Sequence, residues 1–277
     1  MKSNISRIRY VNLKKQWVEE RDELLPIIDQ VLESAQFVGG DELDKFEENI
    51  AKLCGVKYAC GLNSGTDALM LALALSGIGK GDEVITPPNS FIASTAAIVH
   101  IGATPVFVDV LPDQNIDPSK IEAAITEKTK AIMPVHLTGR MCDMDPIIDI
   151  AKKYGLKVIE DAAQSVGSKY KGKISGSIGD VGCFSTHPLK NLNACGDGGF
   201  LTTNDEDIYN KSRSYRTHGM VNRNIVDHFG SVTRMDNLQA AILNYRLDKL
   251  KEVTQKRRNN AKSYFDRIKN QHVFIPK

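Results

Sequence analysis

Three observations predict an α/β domain built on a mainly parallel sheet. Short β-branched runs alternate with helical runs along most of the chain. Strand-like runs stop at a proline pair, an aspartate or a glycine-bearing turn, which punctuates strand-to-helix connections. The 277 residues, 42% hydrophobic and 25% charged, suffice for one large core or for a large and a small domain.

The elements follow in order. Residues 17–34 and 41–53 carry helical patterns, separated by a break at Val38-Gly39-Gly40. Residues 57–61 predict a strand. It runs through Asn63-Ser64-Gly65-Thr66-Asp67 into a helix with apolar positions at Ala68, Leu69, Leu71, Ala72 and Leu75. A strand over residues 83–86 is closed by Pro87-Pro88, and Ser90 is the expected cap of the next helix. A strand over 105–110 precedes Asp117-Pro118, an N-cap and first-turn proline pair that marks a helix start. Residues 131–135 predict a strand, 147–154 a helix, and 157–160 a strand ending at Asp161. The strand over 180–185 leads by a loop to Lys190, and 200–202 forms a further strand. From 235 to 267 the pattern is helical and charged, a connector towards a second domain. Val273-Phe274-Ile275 reads as the start of a strand, which needs neighbours. The expected division is therefore 1–234 for the large domain, and 235–277 for a connector helix and the start of a small domain, truncated or reduced.

Composition narrows the function. A formal net charge of +2 argues for neither nucleic acid nor an anionic membrane as partner. Basic residues near the start (Arg7, Arg9, Lys14, Lys15) and the end (Lys256, Arg257, Arg258) read as solvated surface or as contacts to a phosphorylated substrate. The opening residues lack the apolar segment of a signal peptide, and the longest apolar stretch, 68–75, is too short to span a bilayer. Five scattered cysteines without a Cys-x-x-Cys pair suit a reducing cytoplasm, and no Cys/His cluster has metal-site spacing. No Gly-x-Gly-x-x-Gly follows a strand with an acidic residue downstream, so a nicotinamide dehydrogenase is not predicted.

Four features match what pyridoxal 5'-phosphate requires of a protein. Ser64-Gly65-Thr66, in a strand-to-helix turn, offers close backbone approach, a hydroxyl and helix N–H groups to a phosphate, or else is a plain capped helix start. Asp161, at the carboxyl end of a strand, either pairs with a protonated pyridine nitrogen or caps the next helix. Gln164, about one turn further on, can reach the ring hydroxyl. Lys190, flanked by Pro188-Leu189 and Asn191-Leu192, is either the Schiff-base lysine or a surface lysine. Ser185 can donate to the phosphate, and His187 can contact cofactor or substrate or bond within its loop. Gly196-Asp197-Gly198-Gly199 predicts a tight turn beside the lysine.

The order and spacing of several short stretches resemble the DegT/DnrJ/EryC1/StrS family of pyridoxal-phosphate-dependent nucleotide-sugar aminotransferases. These stretches are Phe37-Val38-Gly39-Gly40, residues 63–69, residues 105–110, Glu160-Asp161-Ala162-Ala163-Gln164-Ser165, residues 184–192, Gly196-Asp197-Gly198-Gly199, His218-Gly219 and Arg234-Met235-Asp236 with Leu238-Gln239-Ala240-Ala241. The resemblance implies the type I aspartate-aminotransferase fold, with a seven-stranded sheet and a small C-terminal α/β domain. It makes Lys190 the Schiff-base lysine and Asp161 the partner of the pyridine nitrogen, with Gln164 near the ring hydroxyl. It sets Gly65, Thr66 and Ser185 on the phosphate and Phe91 on the ring face. His187 and Asn191 become candidate substrate contacts. The resemblance further implies a homodimer with shared active sites, L-glutamate as amino donor, and a nucleotide-linked keto sugar as acceptor, aminated at C3 or C4. The alternatives are a sister enzyme of the same fold that dehydrates sugars, in which histidine replaces the lysine, and a truncated non-catalytic protein of that fold. One departure stands out. The family's Gly-x-Asn-x-Arg reads Gly230-Ser231-Val232-Thr233-Arg234, so the asparagine's contact is lost or is supplied by Ser231 or Thr233.

Overall fold

The computed structural model describes residues 11–273. Arg7 and Arg9, and the Phe274-Ile275 part of the expected terminal strand, lie outside them. Helix α1 (Leu13–Ser34) begins earlier than its apolar pattern because Asn12 caps it, accepting from the Lys15 N–H. Helix α2 (Asp41–Cys54) carries Asp41, Glu42 and Asp44 in its first turn and Lys52 in its last, complementing the helix dipole at both ends. Between them Gly40 has φ 120°, and a Cβ there would meet Gln36 Oε1 at 2.7 Å. The expected break is therefore a position that only glycine fills without strain.

The alternating region then runs β1 (Tyr58–Leu62), α3 (Gly65–Leu75), β2 (Glu83–Thr86), α4 (Ile92–His100), β3 (Thr104–Phe107), β4 (Thr129–Ile132), α5 (Met144–Tyr154) and β5 (Lys157–Asp161). A short hairpin of β6 (Lys169–Tyr170) and β7 (Lys173–Ile174) precedes β8 (Val181–Ser185) and β9 (Gly199–Thr203). Helix α6 (Glu206–Tyr215), a hairpin of β10 (Met220–Asn222) and β11 (Ile225–Val226), α7 (Asn237–Asp248) and α8 (Leu250–Arg267) complete the described chain. The seven-stranded sheet has the order β1-β9-β8-β5-β4-β2-β3. Only β9 runs against its neighbours; β8, β5, β4, β2 and β3 are mutually parallel.

Strand side chains alternate between two cores, as the period of two demands. Val84, Ala131, Ile159, Cys183 and Leu201 pack under α3, α4 and α6. Their chain neighbours Ile85, Ile132, Val158, Phe184 and Phe200 face the other side, against α5 at one end and α2 and α7 at the other. Both faces are covered, which explains why the strands read as unbroken apolar runs. At its crowded centre Phe184 stacks on Phe200 at 4.5 Å, and Phe46 of α2 meets Phe200 edge-on at 5.6 Å.

Three local expectations change. Ser90 does not cap α4. Phe91 occupies that boundary without a side-chain cap bond, and the Ser90 hydroxyl is 2.7 Å from that of Ser94 instead. Asp117 does cap, through Ser119 N–H, but it starts a three-residue 3-10 turn rather than an α-helix. The segment from 235 is two helices, broken at Lys249. Helix α7 buries Ala240 and Leu243 with Leu43 and Phe46, whereas Leu250 is the only buried residue of α8. The change from core to exposed helix comes at Leu250, within the expected connector. Among the described residues no helix is long and apolar enough to cross a membrane.

Phe200→Ala should destabilise the fold by about 3–5 kcal/mol, because it removes a fully buried ring contacted from both sides. Chemical denaturation of both proteins measures this.

Candidate active site

The carboxyl ends of β5 and β8 and the amino ends of α3 and α4 surround a cavity of about 380 Å³. Carboxyl ends of parallel strands converge with helix N-termini on one edge of such a sheet, which concentrates open N–H groups there. Gly65, Thr66, Phe91, Asp161, Gln164, Ser185, His187 and Lys190 all line this cavity. Asn191 does not. Its amide donates to the Val166 carbonyl at 2.9 Å, because the chain has already turned back into the loop packed under Leu192. Asn191 is thus a loop contact rather than a cavity group.

Asp161 ends β5 and is only 4% exposed. Its Oδ2 accepts from Ser94 Oγ at 2.6 Å, and its Oδ1 accepts from the Ala163 N–H at 3.2 Å. Burial pushes its carboxyl above the usual range; the bonds from Ser94 and Ala163, and the charge of Lys190, pull the other way without winning. Both oxygens retain an open lone-pair site, so a protonated ring nitrogen would satisfy a carboxylate that the protein alone leaves undercompensated.

Lys190 follows β8 in the loop that the His187 carbonyl helps to turn, accepting from Lys190 N–H at 2.8 Å. Burial lowers its pKa against the opposing pull of Asp161, which raises the share of neutral, nucleophilic amine. Gln164 Oε1 accepts from Thr138 N–H at 2.7 Å, so its NH₂ is left as the donor towards the cavity. At the phosphate turn, Ser64 caps α3 by accepting from Asp67 N–H at 3.0 Å. The next N–H groups, of Gly65 and Thr66, have no acceptor among the described residues. A Cβ on Gly65 would lie 2.7 Å from Ser185 Cβ, so the turn and β8 are in direct contact and form one wall. Phe91 is 69% exposed at the cavity edge, an aromatic face free to cover a flat ring. An open amine, a buried carboxylate, an amide donor and unpaired helix N–H groups fit a molecule with an aldehyde, a basic ring nitrogen, a ring hydroxyl and a phosphate.

Two functional groups escape the sequence reading. Ser94 lies one turn into α4 and gives no motif signal; its role appears only when α4 packs against β5. Glu160, fully buried beside Asp161, gathers the Nε2–H of His136 (3.0 Å) and the N–H groups of Gly176, Ile178 and Gly179 (2.7–2.8 Å). The ring's Nδ1 accepts from Cys142 N–H, which fixes this tautomer. Burial opposes ionisation of Glu160, but His136 and the Gly179 and Gly176 N–H groups outweigh it and hold the carboxyl below its usual range. This cluster ties the β4 exit and the β7–β8 loop to β5, and so fixes the strand that presents Asp161. Of the two candidates for the missing asparagine's contact, Thr233 is 4% exposed and its hydroxyl is engaged within its own chain.

Asp161 sets a pH signature. Its folded pKa lies above the unfolded value of about 3.9, so its contribution to stability is full below that value and is lost as pH rises through the folded pKa. Cofactor-free Asp161→Asn should therefore gain stability relative to the parent chain as pH rises from about 4 towards neutrality. Denaturation midpoints of the two proteins across that range measure the difference.

Comparisons with known proteins agree with the geometry. The model of the DegT/DnrJ/EryC1/StrS aminotransferase family matches residues 18–276. A pleiotropic regulatory protein of Geobacillus stearothermophilus is 44% identical over 92% of this chain and 68% of its own length. The dTDP-3-amino-3,6-dideoxy-alpha-D-galactopyranose transaminase of Aneurinibacillus thermoaerophilus is 46% identical over 97% of this chain and 74% of its own. The crystal structure of NtdA from Bacillus subtilis with bound cofactor PMP superposes with a TM-score of 0.87 at 37% identity, covering 96% of this chain and 61% of that one. On family match, fold and site together, the chain belongs to the DegT/DnrJ/EryC1/StrS aminotransferase family, pyridoxal-phosphate enzymes of the type I fold.

Proposed function

We propose that this chain transfers an amino group from L-glutamate to the C3 or C4 ketone of a nucleotide-linked keto-deoxysugar, with pyridoxal 5'-phosphate held by Lys190. The observation that carries the reading is the pairing of groups in one cavity: a half-buried amine of lowered pKa on Lys190 and a buried carboxylate on Asp161. The names of relatives that aminate nucleotide sugars support the acceptor class, the dTDP-sugar transaminase among them.

When bound, the cofactor supplies an electron sink for charge that develops at the donor's Cα. The chain's residues do the rest. Lys190 Nζ, neutral more often than a solvated lysine, would hold the cofactor at its aldehyde carbon with loss of water and, once displaced by the donor's amine, would take the proton from the donor's Cα. Asp161 would keep a proton on the ring nitrogen, with Ser94 fixing the carboxylate's orientation through Oδ2. Gly65 and Thr66 N–H groups and the Ser185 hydroxyl would hold the phosphate, Gln164 would donate to the ring hydroxyl, and Phe91 would cover the ring. His187 stands at the cavity edge as a candidate substrate contact; its Nδ1 accepts from Leu189 N–H at 3.3 Å.

A homodimer is part of the proposal. Leu189, at the cavity edge, and the fully exposed Phe229 leave apolar surface that a second copy would cover. The proposal keeps residues 235–277 as a connector and the start of a small domain, of which α8 is exposed but for Leu250. The dehydratase alternative requires histidine where this chain has Lys190, and nothing in the cavity favours it.

Borohydride reduction with pyridoxal 5'-phosphate, followed by peptide mass spectrometry, should attach the cofactor to Lys190. L-Glutamate added before reduction should release 2-oxoglutarate and suppress the attachment. Lys190→Ala should lose the attachment and more than about a hundredfold of amino transfer. Attachment at scattered surface lysines, with none at Lys190, would overturn the assignment.

A further inference from the structure

We propose that Thr233 is a positioning residue for the phosphate turn: its hydroxyl holds the Asp67 carboxylate away from the N-terminus of α3, leaving the Gly65 and Thr66 N–H groups open to a phosphate. The inference deepens the function proposed above and rests on its assignment of that turn.

Ser64 and Asp67 stand at the N-cap and third positions of α3. Half of a reciprocal cap is made, with Ser64 Oγ accepting from Asp67 N–H at 3.0 Å. In the full arrangement the acidic side chain at the third position folds back to the N-cap residue's own N–H, here that of Ser64, beside the Gly65 and Thr66 N–H groups. Here it does not. Asp67 Oδ2 accepts from Thr233 Oγ1 at 2.8 Å, and Asp67 is absent from the cavity lining that Ser64, Gly65 and Thr66 share. A carboxylate folded back there would set its charge beside the Gly65 and Thr66 N–H groups and repel a phosphate at short range.

Thr233 cannot drift from this task. Its N–H donates to the Arg216 carbonyl at 3.3 Å, and its carbonyl accepts from Asn63 N–H at 3.0 Å. Arg234 bridges Leu62 at the end of β1. Arg216 is itself buried, paired with Glu47 and donating to the Gly61 carbonyl at 2.7 Å. The Thr233 hydroxyl also lies 3.0 Å from Asn63 Oδ1, but it has a single proton, and the charged Asp67 oxygen is nearer and the stronger acceptor. Segment 231–234 thus departs from the family's Gly-x-Asn-x-Arg at Val232, and its next residue acts on this chain's own phosphate turn.

The test titrates the full chain with pyridoxal 5'-phosphate and, separately, with phosphate-free pyridoxal. Thr233→Val should weaken the phosphorylated ligand about tenfold, the factor that about 1.4 kcal/mol represents, and leave pyridoxal unchanged. Thr233→Ser should restore the parent affinity. In an Asp67→Asn background Thr233→Val should have no further effect, because the carboxylate it restrains is gone. An equal loss for both ligands, a penalty that persists with Asp67→Asn, or an unchanged affinity in Thr233→Val overturns the proposal. Should the valine variant fail to fold, Asp67→Asn alone decides: affinity for the phosphorylated ligand at or above the parent's supports it, and a loss overturns it. A parent chain that binds neither ligand overturns the cofactor assignment itself, a separate result.

Discussion

The arrangement turns on one buried carboxylate. Asp161 is almost wholly buried, with only a serine hydroxyl and one backbone N–H to hold its charge. Such a group is costly unless something cationic joins it. The fold does not supply that cation by direct contact. It supplies an amine across the cavity and leaves the position beside the carboxylate accessible. A binding site that is electrostatically incomplete without its ligand favours a ligand carrying a protonated nitrogen.

The sheet makes this incompleteness tolerable. β5 is paired on both sides, and its preceding residue, Glu160, is as thoroughly satisfied as Asp161 is not. Successive residues on a strand point to opposite faces. Glu160 therefore spends its charge on locking the His136 turn and the 176–179 loop, while Asp161 turns its charge to the cavity. The rigid neighbour lets the functional one remain undercompensated. The phosphate turn follows the same logic on a smaller scale, with Ser64 capping one N–H of α3 and the next two left open.

Much of this was legible in the sequence because it depends on local pattern. Apolar runs ending at Asp161 and Ser185 mark strand ends, and strand ends converge at one edge of a parallel sheet. Three-dimensional proximity of Asp161 and Lys190 then follows from topology. What stayed hidden depends on side chains meeting across elements. Ser94 looks like any serine in a helix until α4 meets β5. Ser90 was expected to cap because of its position after a proline pair, but its hydroxyl found another hydroxyl. Asn191, beside the lysine in sequence, points away from it because the loop turns. Helix α6 gave no signal, since only Ile208 and Ser212 are buried in a polar run. The break between α7 and α8 was missed because both halves are helical and charged, and only packing distinguishes them.

The central claim is that Asp161 holds a proton on the nitrogen of a bound pyridine ring. Nitrogen-15 magnetic resonance of the chain loaded with ring-labelled pyridoxal 5'-phosphate reports that protonation directly. The account predicts a pyridinium shift at neutral pH in the parent chain and its loss in Asp161→Ala. An unprotonated ring nitrogen in the parent chain, with the cofactor bound at Lys190, would contradict it.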